Sequence, residues 1–194
     1  PYTTLFRSEE RRVGKECTRY SYNADGQLRF ALKALGAATS ALSEQRYDSA
    51  GRVIERIAYA QAAGVSAQSA LTAQQLQALA ASLASASDQR QRNQYDALGR
   101  VAYSADGTGA LSQTLYDGAS RVIARVSYAR TVDAAVAPGQ LSAAASASAQ
   151  DRRVSYAYDS AGRLVYEVQP EGAVTYSRYD GAGRLIAQSA YAQS

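Results

Sequence analysis

The sequence predicts a mainly β fold of repeated antiparallel β-hairpins with one or two short helical insertions. Three observations predict it: a seven-residue turn motif that recurs along the chain, alternating apolar and polar residues between the turns, and two longer segments rich in alanine and serine. A motif that recurs at a regular spacing is typical of repeat proteins, in which each repeat packs on its neighbours. The repeat therefore predicts the architecture before any single residue predicts a function.

The motif is Tyr-Asp-x-x-Gly-Arg followed by leucine or valine. It occurs in four complete copies, in a fifth copy with Ser120 in place of glycine, and in a decayed copy at 22–28 that keeps only tyrosine, glycine and the apolar residue. The residues assigned to the structural repeat motif are Tyr47, Asp48, Gly51, Arg52, Tyr95, Asp96, Gly99, Arg100, Tyr116, Asp117, Arg121, Tyr158, Asp159, Gly162, Arg163, Tyr179, Asp180, Gly183 and Arg184.

The copies come in pairs. Tyr95 and Tyr116 are 21 residues apart, as are Tyr158 and Tyr179, whereas the hops between pairs are 48 and 42 residues. This spacing predicts a repeat region over 18–194, built of units at about 20–94, 95–157 and 158–194. The last unit is truncated, and insertions are expected at about 60–92 and 129–151.

Each motif has the chemistry of a β-hairpin tip. Aspartate favours the first position of a type I turn, where its carboxylate accepts backbone N–H groups two residues on. Glycine then adopts the left-handed conformation that completes a three-residue hairpin loop with a bulge. Arg163 is expected opposite Asp159, in an exposed pair worth only about 0.2–1 kcal/mol. Because Ser120 lacks glycine's freedom at positive φ, we expect its turn to be distorted or looser.

A second turn separates the two motifs of a pair. In the last pair it lies at 170–172 (Pro-Glu-Gly), and in the middle pair it is Asp106-Gly107, followed by Gly109. Strands of about six residues fill the intervals, which is an ordinary strand length. Alternation predicts that one face carries Val154, Tyr156, Tyr158, Leu164, Tyr166 and Val168, and the other carries Arg153, Ser155, Val165 and Glu167.

The two insertions differ in their apolar content. In the first, leucines at helical spacing and a Thr72-x-x-Gln75 capping box predict a helix at about 73–85. In the second, Pro138-Gly139 precedes a run of small residues, and Leu141 is the one large apolar residue near it. The second insertion is therefore either a weak helix or a loop. The charged residues that close each insertion are expected to be solvated.

The residue types in the sequence argue against most kinds of catalytic and metal-binding site. The chain has no histidine and one cysteine, Cys17, so neither the usual catalytic triads nor the usual His/Cys metal sites can form. We expect no catalytic residue, no cofactor, no metal and no enzyme. The net charge of +4 is dispersed, with arginine close to aspartate, which argues against nucleic acid as a partner. No apolar run is long enough to predict a membrane span.

Residues 1–17 differ in composition from the rest and resemble translated sequencing-adapter read-through. They hold the lone cysteine and three of the seven glutamates. We expect this segment to be non-native or disordered and to pack poorly. Because the chain starts without methionine and stops in mid-pattern, we expect it to be a piece of something longer.

The motif series resembles the YD repeat of the Rhs family, which is shared with insecticidal toxin complexes and teneurins. The segments at 170–175 and 58–60 are similar too, and the resemblance covers about 20–194. It implies an open, twisted segment of a spiral sheet from a large secreted or surface protein. In bacterial members that sheet forms a shell around a C-terminal toxin, which lies outside this sequence. The partners it implies are flanking repeats and the toxin domain of the same polypeptide.

Two functions remain open at this point. The chain could be shell wall, with encapsulation as its function, or a surface module whose tyrosines and arginines bind carbohydrate or an anionic partner. Both imply an extracellular or cell-surface location through the resemblance.

Overall fold

A computed structural model describes residues 17–192 of the chain. Within this range the chain forms twelve β-strands, two α-helices and one 3-10 helix. It divides into two compact units. The first runs to Asn93 and includes 137–139, and the second holds 94–136 and the residues from Gln140 onward. Of the segment 1–17, which we expect to be non-native or disordered, residues 1–16 lie outside the described residues.

The first unit is an antiparallel meander in which each strand pairs with the next. Its elements are β1 (Thr18–Tyr22), β2 (Leu28–Ala34), β3 (Ser40–Tyr47), β4 (Val53–Ala58), α1 (Ala73–Leu83) and β5 (Gln89–Tyr95), whose last two residues fall in the second unit. The first insertion joins β4 to β5 and contains α1.

The second unit continues the pattern. Its strands are β6 (Val101–Ala105), β7 (Leu111–Tyr116), β8 (Val122–Ser127), β9 (Arg152–Tyr158), β10 (Leu164–Val168), β11 (Val174–Tyr179) and β12 (Leu185–Tyr191). Each pairs antiparallel with its neighbour in sequence. The second insertion joins β8 to β9 and contains a 3-10 turn (Pro138–Gln140) and α2 (Leu141–Ala144). The predicted mainly β fold of antiparallel hairpins with short helical insertions is confirmed.

Helix α1 covers one face of the first unit. Its predicted capping box is present, because Thr72 Oγ1 accepts the Gln75 N–H at 3.2 Å and Gln75 Oε1 accepts the Thr72 N–H at 2.8 Å. The helix buries Leu76, Ala80 and Leu83 against a sheet face that carries buried residues from β2, β3 and β4. These sheet residues are Phe30, Leu32, Leu42 and Ile57.

The second insertion covers the second unit with less apolar material. Leu141, at the start of α2, is fully buried and packs with Ala105, Leu111 and Val132. Of the two predicted alternatives, this insertion forms the weak helix, which is four residues long. Ala144 and Ala145 pack against the same cluster, so small residues complete the contact that Leu141 makes.

Both insertions close in the same way. Asp88 accepts hydrogen bonds from the Ser85 hydroxyl and N–H and from the Ala60 N–H across the insertion. Asp151 makes the equivalent bonds to Ser148 and Ala129. Arg92 is buried, so the prediction that these closing charges are solvated is wrong for it, and the prediction is equally wrong for Asp88, which is also buried. Its carboxylate ties the two ends of the insertion together.

A β-bulge follows the motif in five hairpins, and it changes which residues lie on which face of the strand, so the predicted assignment of residues to faces is wrong. In five motif hairpins, pairing skips the residue after the motif's leucine or valine, and these skipped residues are Arg29, Ile54, Ile123, Val165 and Ile186. Glu167 therefore lies opposite Tyr156, and Tyr166 lies opposite Ala157. Since residues directly opposite share a face, Tyr166 and Val168 lie on the other face from Tyr156.

The Tyr-Asp turns as the candidate functional site

The predicted turn geometry is present in the motif copies, and the copy at Tyr158 shows it. The Asp159 N–H donates to the Arg163 carbonyl at 3.0 Å, and the Gly162 N–H donates to the Asp159 carbonyl at 3.0 Å. Asp159 Oδ1 accepts the Ala161 and Arg163 N–H groups, both at 2.9 Å. The glycines of the four complete copies have φ between 78° and 81°, in the left-handed region. Turn chemistry thus accounts for aspartate and glycine at these positions.

Arginine completes each turn. Its Nε donates to the second carboxylate oxygen of its own aspartate at 2.7–2.8 Å in all five Asp-bearing copies. The Arg163 backbone N–H, and then the Arg163 side chain, hold the pKa of Asp159 below its usual value. The same groups of Arg184 lower the pKa of Asp180. Each aspartate is therefore an ionised acceptor whose two oxygens are both used within the turn.

In four copies the hydroxyl of the motif tyrosine joins the copy to the preceding one. The hydroxyl of Tyr179 donates to the Leu164 carbonyl at 2.9 Å, and the hydroxyl of Tyr158 donates to the Val122 carbonyl at 2.8 Å. Tyr116 and Tyr47 donate in the same way to the carbonyls of Val101 and Leu28. In every case the acceptor is the leucine or valine that ends the preceding motif.

In three copies the motif arginine joins the copy to the following one. Arg100, Arg121 and Arg163 lie over the rings of Tyr116, Tyr158 and Tyr179, with guanidinium-to-centroid distances of 4.3, 4.9 and 5.0 Å. Nη1 of each also donates to the backbone carbonyl of the next copy's aspartate. We call this chain of Arg–Tyr and Tyr–carbonyl contacts the turn ladder.

The exposure of Arg184 shows that a motif arginine is shielded from solvent by the copy that follows it and not by its own turn. It makes the same bond to its own aspartate as the others. Its side chain is 80% exposed, whereas those of Arg100, Arg121 and Arg163 are 22–34% exposed. A cation over an aromatic ring contributes about 0.5–1 kcal/mol at exposed sites and more when desolvated. The ladder therefore adds cohesion between copies beyond their strand pairing.

The decayed copy at 22–28 keeps the turn by a different pair of side chains. Asn23 Oδ1 accepts the N–H groups of Asp25 and Gln27, and Asn23 Nδ2 donates to Gln27 Oε1 at 2.8 Å. Gln27 Nε2 also reaches the Gly51 carbonyl of the next copy. A neutral Asn–Gln pair thus replaces the Asp–Arg pair in both the turn and the contact with the next copy.

The turn at Ser120 is not distorted, so that prediction is wrong. Ser120 adopts φ of 63°, and its N–H donates to the Asp117 carbonyl at 3.0 Å, as glycine does in the other copies. Its hydroxyl lies 3.0 Å from Arg100 Nη1 in the ladder. The Asp117–Arg121 pair and the ladder hold the backbone where serine alone is disfavoured.

Replacing Ser120 with glycine is expected to stabilise the protein slightly. Relief of the left-handed conformation is worth about 1 kcal/mol, and loss of the exposed bond to Arg100 offsets roughly half of it. The urea midpoint of S120G should therefore rise. Gly99→Ser, the reverse change at the same motif position, should lower the midpoint. If S120G were less stable than the parent, the strain assigned to Ser120 would be absent.

The turns should make stability fall in acid. Because folding lowers the pKa values of Asp96, Asp117, Asp159 and Asp180, their contribution is fully present above the unfolded value of about 4 and is lost as pH falls through the folded values. Urea midpoints measured across this range should be flat above about pH 5 and should drop below about pH 4. Asp159→Asn, which removes one of these titrating carboxylates, should reduce the drop. A midpoint that stays constant into acid would contradict the predicted pKa direction.

Sequence reasoning missed a buried ion network in the first unit. Glu44, 2% exposed, accepts hydrogen bonds from Arg46 at 3.0 Å and from the Tyr59 hydroxyl at 2.7 Å. Arg46 also reaches Glu55 at 3.0 Å, and Arg90 lies 3.5 Å from both Glu55 and Asp88. Burial first, and then the bond to Glu44, raise the pKa of Tyr59. Glu44 and Arg46 at alternate positions of β3, and Asp88 two residues before Arg90, were the available signal.

This network has its charges matched within the protein. Each buried carboxylate faces at least one arginine, which makes the cluster an ionic extension of the core under the first insertion. Within residues 17–192, no three His, Cys, Asp or Glu side chains are arranged to hold a metal ion. No helix in that range is long and apolar enough to cross a membrane.

Comparison with solved structures identifies the fold. The chain is similar to crystal structures of TcdB2-TccC3 without its hypervariable C-terminal region (TM-score 0.58), of TcdB2-TccC3-TEV (0.54) and of TcdB2-TccC3 (0.53), each at 12% identity. The matches cover 90–92% of this chain but only 8–9% of the matched chains. No family model and no curated protein matches the sequence. The likeness in fold supports the Rhs/YD-repeat resemblance of the motif.

Proposed function

We propose that this chain is a wall segment of a secreted or surface Rhs/YD-repeat shell that encloses a C-terminal toxin domain of the same polypeptide. The turn ladder carries the proposal. Aspartate, glycine, arginine and tyrosine of the motif bond to their own turn or to an adjacent copy, so the motif holds copies together without a ligand. Its role is structural and not catalytic.

The comparisons support this proposal at the level of fold. One matched structure lacks a hypervariable C-terminal region, so the similar fold occurs in a polypeptide that carries a separate C-terminal region. The ladder also suits a wall, because three copies use the same arginine contacts to join the next copy and a sheet of this kind can extend by adding copies. Flanking repeats and the enclosed domain are then the partners, and the location is extracellular or at the cell surface.

The complete polypeptide that contains this chain would test the proposal. Limited proteolysis should leave its C-terminal region intact while the repeats remain folded, and should digest the same region quickly when it is expressed alone. Equal digestion of the region in both forms would exclude encapsulation.

A second candidate function is binding of carbohydrate, and one observation favours it. Tyr166 and Tyr176 form a stacked pair with centroids 4.9 Å apart, and Tyr166 is 44% exposed. Aromatic faces in such positions can pack on sugar rings through their apolar surface. A glycan array with the 194-residue chain separates the candidates: specific binding that Tyr166→Ser abolishes would favour this second function, and an array without specific signals would leave the structural role.

A further inference from the structure

Each of the three pairs of motifs places equivalent residues on one face of its own hairpin. Two positions after the motif's leucine or valine lie Phe30, Tyr103 and Tyr166, each on the first strand of its hairpin. Further along, three cross-strand pairs occupy the same repeat position: Leu32 opposite Leu42, Ala105 opposite Leu111, and Val168 opposite Val174. The register therefore defines three equivalent patches without any assumption about function.

Two of these patches are core and the third is not. Leu42 and Leu111 are 1% and 2% exposed, because α1 covers the first patch and the segment around Leu141 covers the second. In the third patch Val168 and Val174 are only half-buried, and Tyr166 is exposed. The residues at these repeat positions are therefore buried in the first two patches and exposed to solvent in the third.

The tyrosine six residues after the leucine or valine of each pair's second motif shows the same contrast between buried and exposed. Tyr59 and Tyr128 stand where the two insertions begin, and their hydroxyls donate to Glu44 and Gln113. Tyr191 occupies the equivalent position opposite Val174, but it is 58% exposed. The third pair therefore has the tyrosine position at which the two insertions begin, and there the tyrosine, Tyr191, is exposed.

We propose that the uncovered patch, formed by Tyr166, Val168, Val174, Tyr176 and Tyr191, docks an insertion segment that continues the chain after β12. The occupant is a short helical turn that places one leucine, flanked by alanine and serine, on Val168 and Val174. The two occupied patches set this chemistry, since each belongs to a buried cluster that includes leucine, from α1 in the first patch and from α2 in the second. The inference needs only the repeat and does not depend on the shell role.

An extended chain tests the proposal. Residues 130–151 of this protein are appended directly after Ala192, so that Tyr191 enters the second copy of the insertion as Tyr128 enters the first. Nitration by tetranitromethane is then measured at each tyrosine by mass spectrometry. Nitration at Tyr166 and Tyr191 should fall several-fold relative to the original chain, because the docked segment covers their rings.

The matched control is the same extension with serine in place of the appended leucine that corresponds to Leu141. It should leave nitration at Tyr166 and Tyr191 as high as in the original chain. Tyr103 and Tyr128 report on folding, because their nitration should be the same in all three proteins. Val174→Asp in the leucine-bearing extension gives a second test and should also restore nitration. Equal nitration of Tyr166 and Tyr191 in the leucine and serine extensions would overturn the proposal.

Discussion

Replacing Phe30 with alanine should destabilise the protein by about 3–5 kcal/mol, the usual cost of removing a buried aromatic side chain. Phe30 is 2% exposed and packs in the core that α1 covers. Its truncation leaves a cavity that rigid neighbours on β2 and β3 cannot fill, and it also removes the ring under the Arg29 guanidinium. Urea unfolding followed by circular dichroism measures the loss.

Tyr166→Ala is the matched control for Phe30→Ala, because both residues stand at the same position of the repeat. Tyr166 is 44% exposed and makes a stacked contact with Tyr176. Losing that cross-strand contact should cost no more than about 1 kcal/mol. If the two variants lost similar amounts of unfolding free energy, burial under an insertion would not determine how much the residue at this position contributes to stability.

Gly109→Ala should be the second most damaging change, with a loss of about 2–4 kcal/mol. Gly109 has φ of +81°, and an added Cβ would lie 2.4 Å from the Val132 carbonyl oxygen. The clash is with backbone, and it falls where the Val132 N–H donates to the Gly109 carbonyl at 2.8 Å. The substitution should therefore free the start of the second insertion from β7 as well as strain the turn. Thermal and urea unfolding would both register the loss.

Gly118→Ala provides the control in the same unit. A Cβ at Gly118 meets nothing within 4 Å, and its φ is outside the left-handed region. Its effect should stay within about 0.5 kcal/mol, as for most surface substitutions. Equal effects at the two glycines would mean that neither the left-handed backbone nor the approach of Val132 constrains Gly109.

The parts of this fold that sequence predicts well are local. Aspartate, glycine and arginine interact within five residues, so the turn chemistry follows from the motif itself. The capping box of α1 spans four residues and was predicted for the same reason. Ser120 shows the limit of local reasoning, because the ladder contact from Arg100 and the neighbouring Asp117–Arg121 pair fix a turn that serine alone disfavours.

What sequence could not predict depends on register. The bulge after each motif shifts alternation by one residue, so Glu167 and Tyr166 exchange the faces that simple alternation assigns them. Glu44 meets Arg46 two residues along the same strand, but its buried contact with the Tyr59 hydroxyl depends on the pairing of β3 with β4. The ladder itself links residues 15–38 positions apart, and the identity of the partners appears only when adjacent copies lie side by side.

A double-mutant cycle on Arg100 and Tyr116 tests the central claim, that the repeated motif exists to join one copy to the next. Arg100→Gln, Tyr116→Leu and the double variant are compared by urea unfolding, alongside a control cycle that pairs Arg100 with Tyr158, the ring that Arg121 covers instead. We expect a coupling energy of about 0.5–1 kcal/mol for Arg100 with Tyr116, and none for the control pair. A coupling with Tyr116 no larger than that with Tyr158 would contradict it.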